Sequence, residues 1–273
     1  MRREGAGMEH LVRAHTRLVA VPYVPEIRLH LAPAEAQDEV FGLWERTGGL
    51  PFWAYAWAGG QALARHVLDY PELVRGRTVL DLASGSGLVA IAAAMAGAAG
   101  VVANDIDPHA VAAIALNARA NGAAVTVRSG DILSTTPEVD VVLAGDAFYD
   151  VALTRRVMPF LLRTRAVSAP GPGAEPEPGY GTGREATTDT GREAGTGAAP
   201  APGTAAGAAP RAAAGGATRA AAGAAIRRLV LAADPERACS YLPRDLFAPV
   251  SVHLVPAVLE DVPYKRTTVW RLM

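Results

Sequence analysis

Several things are scarce in this chain. Its 273 residues include one cysteine, Cys239, which excludes an intrachain disulfide and fits a reducing, cytoplasmic compartment. Six histidines (His10, His15, His30, His66, His109 and His253) are scattered without His-x-x-x-His spacing or a cysteine partner, so no metal site is implied. The net charge is −1, and nothing in it suggests a nucleic-acid footprint or attraction to an acidic membrane. No apolar segment follows the opening Met-Arg-Arg-Glu-Gly-Ala-Gly-Met, so a secretory signal is not expected. Met8 is an alternative start, since Met1 to Gly7 carry no pattern. One stretch, from Asp81 to Asp105, has no charge inside it and is long enough on paper for a membrane span. Gly85, Gly87, Gly97, Gly100, Ser84 and Ser86 interrupt it, and a buried strand–helix–strand unit explains it better.

That stretch, within Thr78 to Pro108, organises the rest. Thr78 to Leu82 is a short apolar run broken by Asp81, as expected where a buried strand reaches its carboxyl end. Ser84-Gly85-Ser86-Gly87 permits a tight turn in which backbone can approach a ligand. Leu88 to Met95 is a run of helix formers stopped by Gly97, and a second strand, Val101 to Ala103, leads to Asp105. Open α/β sheets bind ligands at the carboxyl ends of their strands, where an acid after the second strand can hold ribose hydroxyls. Dinucleotide enzymes use G-x-G-x-x-G at such a turn. Here Leu88 and Val89 follow Gly87, so the third glycine is missing, and Asp81 would repel a phosphate. Asp81 suits a ligand with a positive amino group and no phosphate.

The remaining chain supports an α/β sheet. Pro22 and Pro25 forbid a continuous helix over residues 9 to 32, where Ile27, Leu29 and Leu31 alternate as an edge strand would. Ala34 to Thr47 reads as a helix. Phe52, Trp53, Tyr55 and Trp57 precede Gly59-Gly60, with Phe52 and Trp53 divided between a core plug and a functional part. Trp57 is the better functional candidate, because it immediately precedes the glycine pair opening a helix over Gln61 to Leu68. Pro108 opens a helix closed by Asn121-Gly122. Strands are expected at Ala124 to Arg128, before Asp131-Ile132, and at Val139 to Ala144, before Gly145-Asp146-Ala147-Phe148-Tyr149. Thr154 to Arg165 reads as a helix, Ile226 to Asp234 as a strand, Tyr241 to Phe247 as a short helix, and Ser251 to Val258 and Thr267 to Met273 as final strands. Residues 167–225, largely Ala, Gly, Pro, Thr, Glu and Arg, are expected to form a disordered insertion within one domain. That domain comprises an N-terminal cap over 9–70 and a sheet core over 71–165 and 226–273.

Asp81-Leu-Ala-Ser-Gly-Ser-Gly resembles motif I of the class I S-adenosylmethionine methyltransferases. Asp146-x-x-Tyr149 matches the Asp/Glu-x-x-Tyr/Phe signature of a group dominated by protein-lysine methyltransferases. With Pro51-Phe-Trp-Ala-Tyr-Ala-Trp-Ala-Gly-Gly and Asn104-Asp-Ile-Asp-Pro, the chain resembles the electron-transfer-flavoprotein β-subunit lysine methyltransferase family and its bacterial relatives. The resemblance covers roughly Thr16 to Arg165 and Ile226 to Met273; the insertion has no counterpart, and Ala58 stands where many relatives have proline. It implies a Rossmann-like, mostly parallel seven-stranded sheet with an antiparallel last strand, and S-adenosyl-L-methionine as cofactor. Asp81, Gly85 and Gly87 would line the methionine side, Asp105 would hold the ribose, and Asp131 and Ile132 would flank the adenine. Trp57 and Gly145 would close the pocket, and Asp146 and Tyr149 would meet the lysine. The acceptor implied is a protein, either the flavoprotein β subunit or, as bacterial relatives suggest, a ribosomal protein. A small-molecule N- or O-methyltransferase and a non-catalytic cofactor-binding interaction protein remain alternatives.

Overall fold

Seven hydrogen-bonded strands form the central sheet of a computed structural model that describes residues 2–33, 50–166, 228–237, 240–257 and 262–273. The expected helix over Ala34 to Thr47 and the whole insertion fall outside the described residues. The order across the sheet is β5 (Thr126–Ser129), β4 (Gly100–Asp105), β3 (Thr78–Leu82), β6 (Val141–Ala144), β7 (Leu229–Pro235), β9 (Tyr264–Leu272) and β8 (Phe247–Pro256). The first five strands pair in parallel, so their carboxyl ends share one edge. The last strand in sequence, β9, runs antiparallel to both β7 and β8 and lies inside the sheet, with β8 at the margin.

Alternation along the strands makes two apolar faces. Val79, Val101, Ala103, Leu143, Leu231 and Val269 face a core shared with α2 (Ala58–Asp69), α3 (Leu88–Met95) and α4 (Pro108–Ala120). Leu80, Leu82, Val142, Val230 and Ala232 face the other core, filled by Val157, Phe160 and Leu161 of α5 (Val151–Ala166). Helices on both faces leave strand ends as the place where side chains of several elements can meet.

The N-terminal part adds α1 (Arg2–His15) and a hairpin of β1 (Arg17–Val21) and β2 (Val24–Leu31). It is pinned by side-chain amides. Asn117 of α4 accepts from His30 N at 2.8 Å and donates to Ser86 O at 2.8 Å, and Asn121 accepts from Arg28 N at 2.9 Å. Gln61 accepts from Tyr23 N at 3.1 Å and donates to Ala56 O at 2.7 Å. These bonds satisfy backbone groups of β2 and of the hairpin's turn, and through Asn117 they tie β2 to the glycine turn.

Three expectations change. The helix expected at Gln61 starts at Ala58, with both glycines inside its first turn. Tyr241 to Phe247 is a single 3-10 turn at Arg244–Leu246, and Phe247 already belongs to β8. Pro243 and the short link after β7 leave no room for a longer helix. Residues 2–15, which carry no sequence pattern at their start, form α1, whose Val12 is buried against Trp53 and Tyr55.

Candidate active site

The turn after β3 is built from left-handed backbone. Ala83, Gly85 and Gly87 have φ of 53°, 57° and 85°. At Gly87 a Cβ would also come within 3.3 Å of the Ile114 backbone, so a close helix–turn approach requires glycine there. Gly85 N donates to Asp105 Oδ2 at 2.8 Å, and Asp107 N donates to Asp105 Oδ1 at 3.0 Å. Asp105 therefore braces the turn from the end of the neighbouring strand.

Asp81 lies beneath the turn, 1% exposed. Its Oδ2 accepts from Ser84 Oγ at 2.5 Å and from Ala90 N at 3.0 Å. Burial pushes its carboxyl up to about 7, against those two hydrogen bonds, and the charge of Asp105 adds to the rise. Burial raises Asp105 as well. Two acids whose anions are penalised by lost hydration are relieved by a ligand that brings a cation or hydroxyl donors.

Asp131 and Ile132 sit past β5 and differ in surroundings. Asp131 is half-exposed, pairs with Arg156 and accepts from Leu133 N at 2.9 Å. The Ile132 side chain is buried in the α5-side core, which leaves its backbone for any contact at this edge. Ile106, given no role in the sequence expectations, directly follows Asp105 and is 67% exposed, an apolar face beside an acid.

At the end of β6 the main chain of two elements nearly touches. A Cβ on Gly59 would lie 2.2 Å from Gly145 O, and one on Gly145 would lie 3.0 Å from Gly60 Cα. The Trp57-Ala-Gly-Gly sequence thus lets the start of α2 cross the end of β6, and Gly59 N donates to Asp146 Oδ2 at 3.2 Å. Trp57 donates its indole N–H to Phe52 O at 2.8 Å and faces Tyr55 and Phe52, both at 5.8 Å between ring centres. Phe52 is 40% exposed and packs on Tyr149 at 5.4 Å, whereas Trp53 is fully buried, so the two residues divide between site rim and core. Burial raises the Tyr149 hydroxyl, with the charges of Asp146, Asp105 and Asp150 acting the same way.

One residue here was missed. Arg237, two positions after β7, grips Asp146 with both Nη atoms, at 2.6 Å to Oδ1 and 3.3 Å to Oδ2. Its guanidinium lies 5.8 Å from the centre of the Trp57 ring. Its position after a strand's carboxyl end, in Asp234-Pro235-Glu236-Arg237, was the available signal. The structure thus brings Asp81, Gly85, Gly87 and Asp105 together through the glycine turn, and Trp57, Gly145, Asp146, Tyr149 and Arg237 around the end of β6. Among the described residues no helix is long and apolar enough to cross a membrane, and no group of three or more His, Cys, Asp or Glu could hold a metal ion.

Residues 64–145 match the family model described as ribosomal protein L11 methyltransferase (PrmA). The chain is 45% identical over 130 residues to the electron transfer flavoprotein beta subunit lysine methyltransferase of Rattus norvegicus, covering 46% of this chain and 50% of that protein. It is 40% identical over 154 residues to the protein of the same name from Xenopus laevis, covering 55% of this chain and 62% of that one. The chain therefore spans about half the length of the curated relatives it matches. Among solved structures, the magnesium protoporphyrin IX methyltransferase of Synechocystis, crystallised with bound SAM, is 15% identical with a TM-score of 0.44, covering 79% of this chain and 80% of that one.

Proposed function

We propose that this chain is an S-adenosylmethionine-dependent methyltransferase that methylates a lysine side chain of a protein. The observation that carries the reading is the pairing of two sets of groups along one sheet edge: the glycine turn braced by Asp105 over Asp81, and the Asp146–Tyr149 end of β6 beside Trp57. The residues fit the cofactor. Asp81, buried, and Asp105, partly buried, are acids that gain from an amino group and from ribose hydroxyls, and Gly87 keeps the turn free of side-chain bulk. In this reading Asp81, Gly85 and Gly87 hold the methionine side, Asp105 the ribose, and Asp131 with the Ile132 backbone the adenine. Trp57 and Gly145 close the pocket.

The cofactor supplies a methyl group activated on a sulfonium. A lysine near its ordinary pKa of about 10.4 must lose a proton before its nitrogen can attack. The protein's contribution is alignment and exclusion of water around the amine, with Tyr149 and Phe52 offering ring faces for the methylene stem and Asp146 a hydrogen-bond acceptor. Resemblance to the flavoprotein β-subunit methyltransferases favours that subunit as acceptor. The match at residues 64–145 favours ribosomal protein L11 as the second candidate. Nucleic acid and membrane are not part of the reading, and the single cysteine fits a cytoplasmic location.

The test is single-turnover transfer from labelled cofactor to each purified acceptor protein, with cofactor titrations alongside. Asp105→Ala removes a charged acceptor of hydroxyl hydrogen bonds, each worth about 1.5–3 kcal/mol, and should weaken cofactor binding at least tenfold. Asp146→Asn should leave most cofactor affinity in place while turnover falls. Unchanged cofactor affinity in Asp105→Ala, or label in neither protein, would reject the corresponding half.

A further inference from the structure

The acid expected to meet the incoming ammonium already holds a cation. Arg237 binds both oxygens of Asp146, and the two side chains are only 16% and 15% exposed. The guanidinium lies over Trp57, and Gly59 N adds a third donor to the same carboxylate. A lone buried carboxylate would bind an ammonium and raise its pKa, which opposes the proton loss that methyl transfer requires. A fork-to-carboxylate pair does the opposite: each charge cancels the other locally, and the carboxylate is fixed in orientation.

We propose that Arg237 is a positioning residue of the acceptor subsite, holding Asp146 as a charge-balanced pair so that the amine is received in its neutral form. The inference rests on the methyltransferase reading above. The ammonium leaves its proton to solvent on entry; the nitrogen lone pair then forms the N–C bond, the C–S electrons return to sulfur, and the positive charge passes from sulfonium to amine. Charged or titratable groups around the pair, among the described residues, include Tyr149, Asp105 and Asp150 on the β4 and β6 ends. Asp234 and Arg244 adjoin it on the β7 side, where Ser240 also donates to Asp234 at 2.7 Å. The start of α2 brings backbone N–H and no charge, since Ala58 to Ala64 hold no ionisable side chain.

The test needs no acceptor protein. Sinefungin carries an amino-bearing carbon in place of the cofactor's methylsulfonium, so its ammonium probes the subsite, and S-adenosylhomocysteine lacks that group. The measurement is the ratio of the two dissociation constants at pH 7. Relative to wild type, Arg237→Gln should shift the ratio about tenfold in favour of sinefungin, because the ammonium then meets a carboxylate that has lost its guanidinium. Arg237→Lys keeps a cation and should stay near the wild-type ratio. Asp146→Asn takes the carboxylate's charge away from Arg237 and should shift the ratio the other way, which keeps the test decisive should Arg237→Gln not fold. A ratio unmoved by Arg237→Gln, or by Asp146→Asn where the first variant is unfolded, overturns the proposal while leaving the cofactor reading standing. No binding of either ligand by the wild type overturns both.

Discussion

Asp81 shows how a single side chain can set a pH dependence opposite to the usual carboxylate behaviour. Its folded value of about 7 lies above the ordinary 3.8, so between those values the folded state holds the proton more tightly than the unfolded chain. Its stabilising contribution is complete below about pH 4 and is lost as pH rises through 7. Chemical denaturation of the ligand-free protein at pH 5 and pH 8 should show the wild type losing stability relative to Asp81→Asn. A difference between the two proteins that stays constant with pH would remove Asp81 as the titrating group. The same side chain was legible in the sequence as an acid interrupting an apolar strand. Its burial was not, because that depends on α3 passing over it to supply Ala90 N.

At the scale of elements, the parallel strands and their following helices were legible because each is an apolar run closed by glycine, proline or an acid. What was not legible depended on partners remote in sequence. β1 exposes most of its side chains and shows no alternation; it exists through its pairing with β2. Phe52 and Trp53 are neighbours of one chemical type, and only the folded rim of Tyr149 separates their roles. The glycine pair before Gln61 looks like a turn, yet it is the first turn of α2 with Gly145 crossing it. The two glycines should therefore respond oppositely to alanine. Gly59→Ala drives a methyl into a carbonyl and should cost about 3 kcal/mol. Gly60→Ala meets only Leu88 Cδ2 at 3.8 Å and should be neutral or stabilising by up to about 1 kcal/mol. Urea denaturation of the pair checks this, and equal effects would refute the crossing as the reason for Gly59.

For the whole molecule, chemistry-bearing groups collect at the carboxyl ends of the parallel strands, while residues 167–227 join the end of α5 to the segment entering β7 at its amino end. The anchors are held together, since Arg165 Nη1 donates to Arg228 O at 3.4 Å and Arg228 donates to Pro137 O. On the sequence expectation of an unstructured insertion, replacing residues 167–227 with a short Gly-Ser linker should leave folding and the proposed cofactor binding intact, because closure entropy changes by only about 0.6 kcal/mol per halving of length. A replacement that melts early or loses cofactor binding would refute this. The reversal of β9 has a practical corollary for any labelling experiment. Lys265 is the only lysine in the sequence, and because β9 runs backwards its first residues emerge beyond Pro235, at the same edge as the acids. In the proposed methyl-transfer assay, radiolabel on a lysine of the chain itself therefore has a single address, and Lys265→Arg removes that background.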